Sequence, residues 1–148
     1  MKGNPFSVLA ILLIVTTGLI LFFITGCGGD GGTLPASSTA SLGGATLCKS
    51  FNQSSGPSDA AGSFTRNDPW VICAIKVSDA PSNTKVMAAW FYQGSQRYTE
   101  TQGVQGTKWL SFTLKPDNLK VVRFETGSYI VKLYLNGQEK TALNFTVQ

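Results

Sequence analysis

Apolar and polar positions divide the chain into three regions. From Phe6 to Ile24 the positions are mostly Leu, Ile, Val and Phe, and no charge falls between Lys2 and Asp30. An apolar run after a cationic start reads as a secretory signal, and its length is close to that of a membrane-crossing helix. A cleaved signal and a retained anchor are both compatible with that length. From Gly28 to Ala45 the pattern vanishes: the segment holds six glycines, one charge and no aromatic. Such a segment buries too little apolar surface to offset the entropy of ordering it. It predicts a flexible tether of eighteen residues with a root-mean-square reach of about 23 Å.

From Thr46 onward the pattern is alternation, with β-branched residues and Gly, Asn and Pro punctuation, which predicts strands. Leu47–Phe51 is a first short strand and Ser63–Arg66 a second piece. A strand beginning at Pro69 places Val71, Cys73, Ile75 and Val77 on one face. Ala80-Pro81-Ser82-Asn83 predicts a reversal. Lys85–Tyr92 then directs Val86, Ala88, Trp90 and Tyr92 inward. Gln96–Thr101 is polar and expected at an edge. Trp109–Leu114 presents Leu110, Phe112 and Leu114. Ser128–Leu135 presents Tyr129, Val131, Leu133 and Leu135. Asn136-Gly137 suits a type I′ turn, and a last strand carries Thr141, Leu143, Phe145 and Val147. About seven strands in about 100 residues predict an all-β fold, a β-sandwich. The expected organisation is a signal helix and leader over residues 1–26, a modified Cys and tether over 27–45, and one domain over 46–148.

Two resemblances sharpen this. Ile24-Thr25-Gly26-Cys27 resembles the lipobox of bacterial lipoproteins: an aliphatic residue, two small residues and a Cys at the end of the apolar run. The resemblance implies a diacylglyceryl thioether on Cys27 and cleavage just before it. It also implies an extracytoplasmic, membrane-anchored protein. Each buried methylene contributes about 0.8 kcal/mol, so two or more acyl chains (palmitate-like in length) hold the chain durably. Gly28, where retained lipoproteins carry Asp, implies the outer membrane if the host has one.

The second resemblance is to immunoglobulin-like domains. Cys73 lies on a strand followed 17 residues later by Trp90, and Gly127-Ser128-Tyr129 opens the penultimate strand, where the family carries its tyrosine corner. Val131 stands where antibody domains have their second Cys. In this architecture the strand of Cys48 lies near that of Cys73. A Cys48–Cys73 disulfide is the resulting expectation, closing a loop of about 25 residues and contributing roughly 3.5 kcal/mol. Two free buried thiols are the alternative.

Several apolar residues fall on the outward parity. Met87 and Phe91 oppose the inward set of their strand, and Ile130 and Tyr134 do so on theirs. In an immunoglobulin-like sandwich these strands are neighbours, so the four form one candidate interaction patch. Trp70, Ile72 and Trp109 form a second candidate on the other sheet. Cover by the segment 52–61, or a bulge that shifts the parity, is the alternative.

Composition narrows the chemistry. The chain has 16 aromatics, 12 basic and 8 acidic residues, a net charge of +4 and no histidine. His-based catalysis and His metal sites are excluded. No Cys-x-x-Cys pair, phosphate-cradling loop or calcium-loop spacing is present. No catalytic, metal or cofactor residue is therefore assigned, and an enzyme is not expected. Lys108, Lys115, Lys120 and Arg123 are the nearest approach to a basic stripe, and no nucleic-acid partner is expected. The expected function is an envelope interaction module that binds a protein partner, or itself. The alternatives are a binder of a small apolar or glycan ligand, between Trp70 and Trp109, and a proteinase inhibitor using 103–108.

Overall fold

The computed structural model describes residues 39–148. The expected signal segment and Cys27 lie outside them. The described chain is all-β: β1 (Ser41–Leu42), β2 (Thr46–Asn52), β3 (Gly56–Ala60), β4 (Ser63–Phe64), β5 (Val71–Tyr92), β6 (Ser95–Leu114), β7 (Gly127–Leu135) and β8 (Gln138–Val147), with a short 3-10 turn at Pro116–Leu119. The strands make one eight-stranded sheet in the order β3-β2-β5-β7-β8-β4, with β1 and β6 also pairing with β5. All pairings are antiparallel except β4 with β8.

β5 organises the rest. Val71, Cys73, Ile75 and Val77 are buried at odd positions; Val86, Ala88 and Trp90 are buried at even ones. The phase changes between them, where the pairing with β6 slips between Val77 and Ala80 and again between Ala80 and Thr84. Asp79 takes φ +54° and Gly106, opposite Ala80, takes φ +71°. The Asp79 N–H donates to Thr107 Oγ1 at 3.0 Å. Irregularities of this kind bend a strand and re-aim its side chains. The first half of β5 pairs with β1 and β2, and the second half with β7. The sheet folds across the bend, and the inward residues of both flanks share one core.

The expected reversal at residues 80–83 is therefore a bend inside a continuous strand, and Pro81 sits exposed on it. The expected pieces Gln96–Thr101 and Trp109–Leu114 are likewise parts of β6. Among the described residues β6 pairs with β5 alone. Part of the segment expected as tether is ordered. Ser41 and Leu42 pair with Ser78 and Val77, and Ala40 is buried in the core. The apolar side chains of Ala40 and Leu42 and a backbone ladder offset the ordering entropy of this glycine-rich stretch.

Two tight turns set the register. Asn136 and Gly137 have φ of 50° and 84°, as a type I′ turn requires, and Gln93-Gly94 repeats the geometry at 46° and 81° between β5 and β6. The Asn136 Oδ1 accepts from Lys85 N–H at 2.9 Å, which ties the β7–β8 turn to β5.

The core is an aromatic cluster around Phe145. Its ring lies 5.0 Å from Tyr129, stacked, and meets Phe64 and Trp90 edge-on at 5.5 and 6.1 Å. Tyr129 also touches Tyr92 at 4.7 Å and Phe124 at 6.4 Å. Each such pair is worth about 0.5–1.5 kcal/mol beyond its burial. The Tyr129 Oη donates to the Glu125 carbonyl at 3.0 Å, which fixes the approach to β7. Trp90 Nε1 is buried without a hydrogen-bond partner among the described residues.

Phe145→Ala is expected to cost about 3–5 kcal/mol through the cavity it leaves. Tyr129→Phe, which keeps the ring and loses one hydrogen bond, is expected to cost about 1 kcal/mol. Urea unfolding midpoints of the two variants measure the difference.

Candidate functional site

The alternation that buries Val86, Ala88 and Trp90 sends Met87, Ala89 and Phe91 to the opposite face of β5. On β7 it sends Ile130, Lys132 and Tyr134 to that same face. The register makes them direct neighbours: Met87 opposes Tyr134, Ala89 opposes Lys132, and Phe91 opposes Ile130. Met87, Phe91, Ile130 and Tyr134 are all half-buried. The parity is not shifted where the patch lies, although the β5–β6 pairing slips at Trp90/Phe91 and the β7–β8 pairing at Leu133/Tyr134.

A charged couple sits within the patch. Lys132 Nζ lies 3.0 Å from Glu139 Oε2 on β8 and 5.7 Å from the centre of the Phe91 ring. The Tyr134 Oη donates to the same Glu139 oxygen at 3.4 Å. Hydrogen bonding to Glu139 holds the Lys132 ammonium above its ordinary pKa. The long Lys stem covers apolar surface while its head stays polar. Thr99 and Thr101 of β6 flank the face on one side, opposite Ala89 and Met87. Ala142 and Asn144 of β8 flank it on the other, opposite Lys132 and Ile130. The result is an apolar centre with one acid and one base, flanked by Thr99, Thr101, Ala142 and Asn144. The couple was missed in the sequence, although Lys132 shares its parity with Ile130 and Tyr134 and so had to lie on their face.

The second candidate does not assemble into an open patch. β2 pairs with β5 only from Thr46 to Cys48. Beyond that the β2–β3 hairpin covers the outer face, with Phe51 packing against Cys48, Ile72 and Ala74. Its tip reaches Trp109: Gln53 Nε2 donates to the Trp109 carbonyl at 3.4 Å. Gly56, at φ +87°, lies so close under the indole that a Cβ there would come 2.7 Å from Trp109 Cε2. Ile72 is buried, and Trp70 stays 41% exposed with its Nε1 donating to the Lys49 carbonyl at 2.9 Å. Trp70 and Trp109 are engaged separately, so no cleft is ringed by the pair. Gly56→Ala should cost about 1–3 kcal/mol, from a disfavoured φ and an overpacked indole, as read by thermal unfolding.

The Cys48–Cys73 disulfide expected above is not formed; both thiols are free and buried. Cys48 opposes Ile72, while Cys73 opposes Leu47. The two thiols are one residue out of register, so Cys73 joins the core and Cys48 the cluster under Phe51. Burial raises the Cys48 thiol above its ordinary pKa and pushes Cys73 up to about 12, with nearby Cys48 adding to the effect. Both are poor nucleophiles in the folded state.

The remaining candidates are dispersed. Lys108 opposes Val77 within β6, whereas Lys115, Lys120 and Arg123 lie on the connection from β6 to β7. Val122, on that connection, is 95% exposed, and a cavity of about 350 Å³ opens there between Arg66 and Arg123. Residues 103–108 belong to β6, with Gly103, Val104, Gly106 and Lys108 each paired to β5, so the loop expected of an inhibitor is a strand. Among the described residues no cluster of three or more Cys, Asp or Glu side chains is placed to hold a metal ion. No helix among them is long and apolar enough to cross a membrane. Comparison with protein families and with curated proteins finds no match to this chain.

Cys73 and Tyr129 are acids held neutral by burial, with pKa values raised from 9.0 and 10.0 to about 12. The unfolded chain loses these protons first, so the stability they confer is complete below about pH 9 and falls as pH rises toward about 12. Urea midpoints should decline across that window, and less steeply in Cys73→Ala. Thiol titration without reductant should find Cys48 and Cys73 reactive only after denaturation.

Proposed function

We propose that this chain is a lipid-anchored interaction module of a bacterial envelope. Cys27 carries the acyl chains. An immunoglobulin-like β-sandwich at the end of the tether docks a protein partner through the face of Met87, Phe91, Ile130 and Tyr134. The pairing order supports the immunoglobulin-like reading. β2, the first half of β5 and the second half of β6 are adjacent, as the A, B and E strands of that family are. The first half of β6, the second half of β5, β7 and β8 follow one another as C′, C, F and G. The Tyr129 hydrogen bond to Glu125 has the form of the family's tyrosine corner. The absence of an inter-sheet disulfide is a departure that leaves the pairing order untouched.

The observation that carries the docking role is the cross-strand meeting of Met87 with Tyr134 and of Phe91 with Ile130 on an outward face. Two of the four are aromatic and one is Met, residue types enriched in interface centres. The lipobox resemblance supports the location, and Gly28 favours the outer membrane of a two-membrane host.

The test uses native membranes. Cys27→Ala should deprive the protein of both the acyl adduct and the cleavage before residue 27, as read by intact mass. Phe91→Ser with Tyr134→Ser should leave it membrane-bound and folded while recovery of cross-linked partners falls at least tenfold. Unchanged partner recovery would count against the docking face. A native mass that retains Met1 and lacks an acyl adduct would count against the anchor.

A further inference from the structure

We infer that the occupant of this face is a second copy of the chain, joined through a two-fold interface centred on Lys132 and Glu139. The inference rests on the docking role of the face and names its partner. The chain as a whole is cationic, at +4. The centre of the face is nonetheless balanced, with one base and one acid 3.0 Å apart, and Lys85 lies only at the rim beyond Met87. A face of this kind does not select a strongly charged partner by long-range attraction. It selects one that presents an apolar surface with an acid and a base in matching places.

The chain itself meets that description. Take a two-fold axis lying in the interface, midway between Nζ of Lys132 and Oε2 of Glu139 and perpendicular to the line joining them. It sets each ammonium over the other copy's carboxylate. Such an interface is isologous: residue i meets j, and j meets i. The axis we place runs across the strands, so the Phe91–Ile130 end of each copy lies over the Tyr134–Met87 end of the other. Phe91 and Ile130 flank Lys132 toward one end of β7, and Tyr134 and Met87 flank it toward the other. The Lys132–Glu139 pair, with side chains 32% and 44% exposed, is open to an incoming copy.

The size of the face sets the strength. Four strands about 4.8 Å apart and nine residues long at about 3.3 Å per residue give roughly 500 Å² per copy. That is below the roughly 800 Å² per partner of a standard stable interface. The dimer is therefore reversible.

Mixing charge-reversed chains tests this. The full chain is prepared in mild detergent with two different tags, as wild type, K132E and E139K, at about 100 µM. K132E leaves the face with two acids, and E139K leaves it with two bases. Wild type should capture wild type. K132E should capture K132E at least tenfold less, and E139K the same with itself. The mixed pair, K132E with E139K, should recover to at least the wild-type level. Rescue in the mixed pair is diagnostic, because neither chain can rebuild the couple internally and only the mixed pair sets acids over bases across the face. A mixed pair no better than the like pairs overturns the inference, as does a wild type that fails to capture itself. Circular dichroism checks folding. If a reversed chain loses its strand signal, K132Q and E139Q replace the reversals, and the expected contrast becomes about threefold. If self-capture fails but Phe91→Ser with Tyr134→Ser still loses a different envelope protein, the docking role stands without the dimer. If both fail, both readings fall.

Discussion

The phase change inside β5 is the constraint on which the rest of this domain depends. A strand can keep one face buried only while its apolar residues stay in step, and β5 breaks step between Val77 and Thr84. With the break, odd residues before it and even residues after it turn toward the same interior. Without it, Val86, Ala88 and Trp90 would point away from the core that Val71, Cys73, Ile75 and Val77 begin. The strand also carries the pairing of four others, so its bend is the fold of the whole sheet. The positive φ of Asp79 and Gly106 and the Asp79–Thr107 hydrogen bond hold the bend in place.

Core and candidate site are consequently two faces of one register. Trp90 enters the aromatic cluster around Phe145 because Phe91 leaves it, and Tyr129 stacks inside because Ile130 does not. A slip of one residue on β7 would exchange the cluster for the outer patch, so the tight Asn136-Gly137 turn and its hydrogen bond to Lys85 set the composition of both faces. The outer surface of the other flank has a different fate. There the β2–β3 hairpin covers the face, and Gly56 permits the contact because it has no Cβ to meet Trp109. One flank has its cover supplied from within the chain, and the other leaves Met87, Phe91, Ile130 and Tyr134 half-exposed.

Much of this was legible in the residues. The period of two marks the strands, the inward sets on β5, β7 and β8, and the outward parity of the four patch residues. Asn136-Gly137 marks its own turn. Other features were not legible for identifiable reasons. Ala80-Pro81-Ser82-Asn83 has the composition of a reversal, and only the ladder to β6 reveals that the strand continues. The strands of Cys48 and Cys73 are neighbours, which left a disulfide and two free thiols both open, and a register offset of one residue puts the two side chains on opposite faces. The Lys132–Glu139 couple joins two strands whose offset is set by an irregularity at Leu133/Tyr134, which no local pattern announces.

By itself the sequence determined where the chain alternates, where it turns and which side chains share a face, because these depend on the geometry of a few consecutive residues. It also shows the apolar run from Phe6 to Ile24 and the Ile24-Thr25-Gly26-Cys27 pattern on which the proposed anchor rests. Only the tertiary structure decided which faces meet, which are covered and which thiols stay apart. Those outcomes turn on register and on the bend of β5, and both are set by contacts between residues far apart along the chain.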